Sequence, residues 1–209
     1  PEGYLERIRK ICDDYGVLLI LDEVITGFGR TGESFAAEAF QVKADLITIA
    51  KGMTSGMVPM GGVLVREDIY EAFMTGPEEN IEFFHGYTYS GHPLAAAAGL
   101  ATLTVYEEEG LFARAKSLAP ILEEELQTIK GCPYVIDIRN YGLLGGVELE
   151  PIEGKPTARA VSVFRQCFDN GLLVRTSGDT IALCPPLIAS EDEIRTVVAK
   201  LKESLNSID

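Results

Sequence analysis

Over the first fifteen residues, Leu5, Ile8, Ile11, Cys12 and Tyr15 recur at helical spacing, and Gly16 stands where a helix-ending glycine belongs. The pattern predicts an amphipathic helix. Val17 to Leu21 is an unbroken apolar run, the pattern of a parallel strand covered on both faces, and it ends abruptly at Asp22 and Glu23. A loop with Gly27, Gly29 and Gly32 follows, then a short helix ending near Phe40 and a second apolar run, Leu46 to Ala50, that stops at Lys51. Gly61 to Val65 reads as another strand and Glu67 to Phe73 as a helix. Thr75 to His92 has no periodicity, and a loop of that length is generally functional or disordered.

From Pro93 to about Lys130 the pattern is helical, first small and apolar, then amphipathic from Leu111 onward. The shift near Glu107 to Gly110 sets the expected domain boundary, separating 1–108 from 109–209. Beyond it, strands are predicted at Val135 to Ile138, Gly145 to Leu149, Leu172 to Arg175 and Ile181 to Leu183, with helices at Ala158 to Asp169 and Glu191 to Leu205. That is a smaller α+β unit. No internal repeat or low-complexity tract interrupts it.

Composition narrows the partners. In 209 residues, 18 Lys and Arg stand against 32 Asp and Glu, a net charge of -14, which repels nucleic acid and anionic membrane surfaces alike. With 46% hydrophobic and 24% charged residues, the chain has the mixture of a globular protein. The longest apolar candidate, Pro93 to Tyr106, is too short to span a bilayer and reads as a buried helix. Cys12, Cys132, Cys167 and Cys184 are isolated in apolar pattern, as buried free thiols of a reducing, cytoplasmic compartment would be. The chain opens at Pro1 without a Met or a leader pattern, so it is expected to be a piece of a longer protein.

The sharpest chemical feature is a carboxylate and an amine, Asp22 and Lys51, each at the C-terminal end of a predicted buried strand, where open α/β sheets bind ligands. Either alone reads as a solvated charge at a strand end. Together they suit pyridoxal phosphate, since a lysine forms the Schiff base with its aldehyde and an Asp keeps its ring nitrogen protonated.

Four segments carry a resemblance: LLILDEVITGFGRTG at 18–32, ADLITIAKGMTSG at 44–56, PMGGVLV at 59–65 and HGYTYSGHPLAAAAGL at 85–100. In this order they resemble the class III aminotransferases, and in particular the omega-amino acid:pyruvate branch. The resemblance implies an α/β, fold type I, pyridoxal-phosphate-dependent transferase. Residues 1–108 would be the C-terminal part of the cofactor-binding large domain, with its mostly parallel sheet, and 109–209 the C-terminal small domain. Lys51 matches the Schiff-base lysine and Asp22 the partner of the pyridine nitrogen. Val24, on the same side as Asp22 if strand geometry persists, matches a residue packed on one face of the ring; otherwise it is a core valine.

Thr88 matches a threonine whose hydroxyl and amide take the cofactor phosphate of the other subunit, which implies a homodimer or homotetramer. Arg175 matches an arginine that takes a substrate carboxylate through two parallel hydrogen bonds and swings aside for other substrates. The implied reaction is a ping-pong transfer of an amino group from an omega-amino acid or amine to a keto acid, pyruvate in this branch. The rest of the phosphate cup and the aromatic over the other ring face would lie upstream of Pro1, so the chain by itself is expected to be inactive.

Two competing readings remain. Gly27-x-Gly29-x-x-Gly32 matches the dinucleotide fingerprint, but it begins five residues after the strand end, has two acids beside it, and has Ala50 and Lys51 where an acid is wanted. These glycines are expected to permit a tight loop beside the cofactor, with Arg30 pairing to a carboxylate. The other reading is a non-catalytic assembly partner, which retention of Asp22 and Lys51 disfavours. His85 and His92, with no Cys or carboxylate at ligand spacing, are expected to be supporting loop residues and not metal ligands.

Overall fold

The computed structural model describes residues 1–77, 79 and 87–208. The amphipathic start of the chain forms α1 (Tyr4–Tyr15), ended by Gly16 at φ 64°, where a side chain would be strained. β1 (Ile20–Asp22) follows, then a turn-rich stretch, the single-turn helix α2 (Ala36–Ala39), and β2 (Leu46–Ile49). β1 and β2 are parallel, with Ile20 opposite Leu46 and Asp22 opposite Thr48. A 3-10 turn at Lys51–Thr54 leads to β3 (Gly62–Val65), which pairs antiparallel with β2 and places Gly62 opposite Ile49. α3 (Glu67–Glu71) and α4 (Pro93–Glu108) complete this part, and Gly110 at φ 59° separates α4 from α5 (Leu111–Gln127).

Two compact units result, one of residues 1–28 and 33–110, the other of 29–32 and 111–209. In the first, the sheet end opposite Lys51 is tied by Asp45, whose buried carboxylate accepts from the Leu19 amide at 2.6 Å, from Arg9 at 2.8 Å and from Arg66. The Leu19 amide and the Arg9 guanidinium hold the Asp45 carboxyl below its ordinary range. Asp45 therefore joins α1, the approach to β1, the start of β2 and the end of β3 at one point.

The second unit is an antiparallel sheet in the order β4-β5-β7-β6, made of β4 (Val135–Tyr141), β5 (Leu144–Leu149), β6 (Arg175–Ser177) and β7 (Thr180–Leu183). α5, α6 (Ala158–Asp169) and α7 (Glu191–Asn206) pack on it. Leu122, Leu126, Val147, Leu149, Val163, Ile181, Ile194 and Leu201 are fully buried between them. Gly145 allows α5 to approach, since a Cβ there would lie 2.8 Å from Leu126 Cδ1. α7 begins with a reciprocal Ser190–Glu193 cap.

Several expectations need correction. Among the described residues the run Val17 to Leu21 is not covered on both faces: Val17, Leu18 and Ile20 are exposed and only Leu19 is buried. Likewise, α4 buries only Ala95, Gly99 and Thr102 and exposes Leu94, Leu100 and Leu103. The strand expected at Leu172 to Arg175 begins at Arg175 instead. β7 offers partners only to Arg175, Thr176 and Ser177, while Leu172 and Val174 fill the core ahead of it. All four cysteines are free, but only Cys167 is buried; Cys184 is exposed. No helix among the described residues is long and apolar enough to cross a membrane.

Candidate cofactor site

Asp22 is the last residue of β1 and is exposed. Its Oδ1 accepts the Val24 amide and the Thr48 hydroxyl, each at 3.1 Å. Both bonds fall on one oxygen, and among the described residues none donates to Oδ2. The bond from the Val24 amide turns the chain at once, so the strand geometry that would place Val24 on the same side as Asp22 does not persist. Val24 instead sits half-buried in the turn that Asp22 itself caps.

Glu23 continues the ladder by one bond, its amide donating to Thr48 O at 2.9 Å. Its carboxylate is buried and satisfied three times, by the Thr26 hydroxyl at 2.6 Å and by the Ala36 and Ala37 amides at 2.8 and 2.7 Å. The glycine fingerprint is thereby excluded as a pyrophosphate site. The amides at the start of α2, which a pyrophosphate would need, are already taken by the chain's own carboxylate.

Past β2, Ala50 is extended and Lys51 turns into the left-handed region at φ 44°, a conformation that costs a non-glycine residue about 1–2 kcal/mol. The turn is held from several sides. Lys51 O accepts from Gly56 at 3.1 Å, and Gly52 O accepts from Ser55 at 3.2 Å and from the Tyr106 hydroxyl at 2.6 Å. A Cβ on Gly52 would come within 2.7 Å of Phe28 Cβ, so residue 52 must be glycine for Phe28 to close on the turn. Phe28 stacks on Tyr106 with centroids 6.1 Å apart and meets Phe35 edge-on at 5.5 Å. Lys51 itself is exposed and forms no ion pair with a described residue.

An unpaired amine and a carboxylate with an open oxygen thus stand at the C-terminal ends of adjacent parallel strands. This donor set fits a cofactor that offers an aldehyde and a protonated ring nitrogen. Thr88 is exposed in a turn closed by the bond from Ser90 N to Tyr87 O at 3.1 Å, in the same unit. Arg175 is exposed at the start of β6 and belongs to the second unit, as do Gly29 to Gly32.

Among the described residues Arg30 pairs with no carboxylate: its guanidinium donates to the Pro185 carbonyl. Gly29 and Gly32, at φ 89° and 88°, lie against Phe112 and Lys116, and a Cβ on Gly29 would stand 2.5 Å from the Phe112 ring. Their need for glycine is set by that packing. His92 caps α4, its Nδ1 accepting from the Leu94 amide at 3.2 Å, while His85 lies outside the described residues. Sequence reasoning did not find Glu23, Thr48, Phe28 or Tyr106. Only the adjacency of Glu23 to Asp22 was a local signal.

With this geometry in place, comparison with known proteins is informative. The family model described as aminotransferase class-III matches residues 1–205. An omega-aminotransferase of Caulobacter vibrioides is 54% identical over 209 residues, covering 100% of this chain and 48% of that protein. A beta-alanine–pyruvate aminotransferase of Pseudomonas aeruginosa is 44% identical over 210 residues, covering 100% and 47%. A solved structure of a transaminase with L-ala superposes with a TM-score of 0.92 at 34% identity, covering 99% of this chain and 50% of that one. The chain spans about half the length of the relatives it matches.

Proposed function

Because this chain belongs to the class-III aminotransferases, we propose that it is the lysine-bearing part of a pyridoxal-phosphate transaminase that moves an amino group from an omega-amino acid or amine to a keto acid by a ping-pong mechanism. The observation that carries the reading is the placement of Asp22 and Lys51 at the C-terminal ends of the parallel pair β1 and β2. The names of its relatives, one of them a beta-alanine–pyruvate aminotransferase, support pyruvate as the acceptor.

When bound, pyridoxal phosphate supplies an aldehyde for the amine and a ring that withdraws electrons from the substrate carbon. Lys51 Nζ would hold the cofactor through its aldehyde and, once free, would take up and return the substrate's proton as a general base. Asp22 would hold the ring nitrogen and keep it protonated. Val24, kept beside Asp22 by the turn and not by strand geometry, would pack on one ring face, Thr88 would donate to the phosphate held by a neighbouring subunit in a homodimer or homotetramer, and Arg175 would take a substrate carboxylate. In this reading the first unit is the cofactor domain and the second the small domain, and the protein works in the cytoplasm. The segment carrying the rest of the phosphate cup is supplied from outside these residues, and the chain alone is inactive.

Borohydride reduction of the holoprotein, followed by intact-mass measurement and peptide mapping, tests this directly. A cofactor-sized adduct on Lys51 is expected. No adduct, or one on another lysine, would overturn the assignment and favour a non-catalytic assembly role.

A further inference from the structure

Lys51 is rooted in an unfavourable backbone conformation, and such conformations persist only where their surroundings over-determine them. Two consecutive carbonyls are pinned there. Lys51 O is held by the Gly56 amide, and Gly52 O by the Ser55 amide and by Tyr106. The Ser55 bond belongs to the 3-10 turn and would satisfy the carbonyl by itself. The Tyr106 bond comes from α4, 54 residues away in sequence, and at 2.6 Å it is the shorter of the two. It is backed by Phe28, which stacks on the Tyr106 ring and closes against Gly52 where any Cβ would clash.

We propose that Tyr106 is a positioning residue for Lys51: its hydroxyl, clamped with Phe28 on Gly52, holds the lysine's backbone root while the four-carbon side chain moves between cofactor and substrate. This role rests on the reading of Lys51 as the cofactor-bearing amine. Lysine is a flexible stem with a point charge at its tip, so the placement of its amine depends on where the stem is anchored. Releasing the Gly52 carbonyl lets the turn relax out of the left-handed conformation and moves that anchor.

The test uses the holoprotein and Tyr106→Phe, which keeps the ring on Phe28 and removes only the hydroxyl. Thr102→Val is the comparison, since it deletes a hydroxyl bonded to Ala98 O on the same helix without touching Gly52. Borohydride trapping identifies the cofactor-bearing lysine, and a pH titration of the bound cofactor's visible absorbance, without substrate, reports the geometry of its link to that lysine. Tyr106→Phe is expected to keep the adduct on Lys51 and to move the titration midpoint by about half a pH unit or more. It should also lower kcat about tenfold with KM unchanged, whereas Thr102→Val leaves midpoint and kcat as in the parent.

An adduct on Lys51 combined with a parental midpoint and kcat in Tyr106→Phe would overturn the positioning role alone. Equal changes in both variants would likewise overturn it, by showing a merely structural effect of α4. An adduct on another lysine in the parent protein would overturn this proposal together with the reading on which it rests.

Discussion

Asp22 accepts the hydroxyl of Thr48, the residue in register with it on the neighbouring parallel strand, at 3.1 Å. The bond crosses the strand pair at its C-terminal end, and with the Val24 amide it falls on Oδ1, so that no described residue donates to Oδ2. If Asp22 protonates the ring nitrogen, Asp22→Asn should slow the donor half-reaction by roughly two orders of magnitude or more, because the neutral amide cannot hold the ring proton. Thr48→Val removes one orienting bond worth about 1 kcal/mol and should slow it roughly fivefold. Single-turnover kinetics separate the two, and similar small effects from both would sink the role of Asp22.

Asp45 couples fold stability to pH. Its carboxyl is depressed, first by the Leu19 amide and then by Arg9, so its stabilising contribution is complete above the range in which an unfolded Asp titrates. The contribution is lost as pH falls through about 3.9 toward the lower folded value. Asp45→Asn should cost about 2–4 kcal/mol at neutral pH, since it leaves Arg9 and Arg66 facing an uncharged partner. Denaturant titrations at pH 7 and pH 3 should show the difference between parent and variant shrinking in acid; a constant difference would contradict the linkage.

Glu23 should resist even its closest substitution. Glu23→Gln turns one acceptor oxygen into a donor, so the Ala36 and Ala37 amides can no longer both be satisfied. A loss of about 1–3 kcal/mol is expected, with faster amide exchange at Ala36 or Ala37. Unchanged exchange at both amides would mean that this carboxylate does not organise the turn.

Gly142 and Gly154 offer a matched pair. Both have positive φ, at 56° and 71°, but a Cβ on Gly142 would overlap the Arg30 carbonyl oxygen and stand 2.7 Å from Thr31 Cα, whereas Gly154 has open space. Gly154→Ala should cost about 1 kcal/mol and Gly142→Ala about 3 kcal/mol or more. Equal losses would show that the approach of residues 30 and 31 does not require glycine at 142.

What could be read locally depended on the strength of the local signal. Ala158–Asp169 is helical over its expected span, and Glu191–Asn206 closely matches the expected Glu191 to Leu205, because both carry strong helical periods and the second has a reciprocal cap. The expected strand at Leu172 failed because its ladder partners belong to β7, which offers only three registers. Val24 fell outside the strand because the Asp22 side chain captured its amide, a competition that apolar patterning does not register.

The sequence alone determined most of the elements and the candidate pair: two apolar runs, each halted by a charge, single out Asp22 and Lys51, since an apolar run and the charge that ends it are both visible in a short window of sequence. Tertiary structure decided the geometry around them. The acceptor bond from Thr48, the taking of the α2 amides by Glu23 and the pinning of the lysine turn by Tyr106 join residues 13 to 54 positions apart. It also decided which apolar faces are covered, because burial depends on what packs against a strand and not only on what the strand is made of. Such contacts are specified by the whole chain closing on itself, so no window of the sequence contains them.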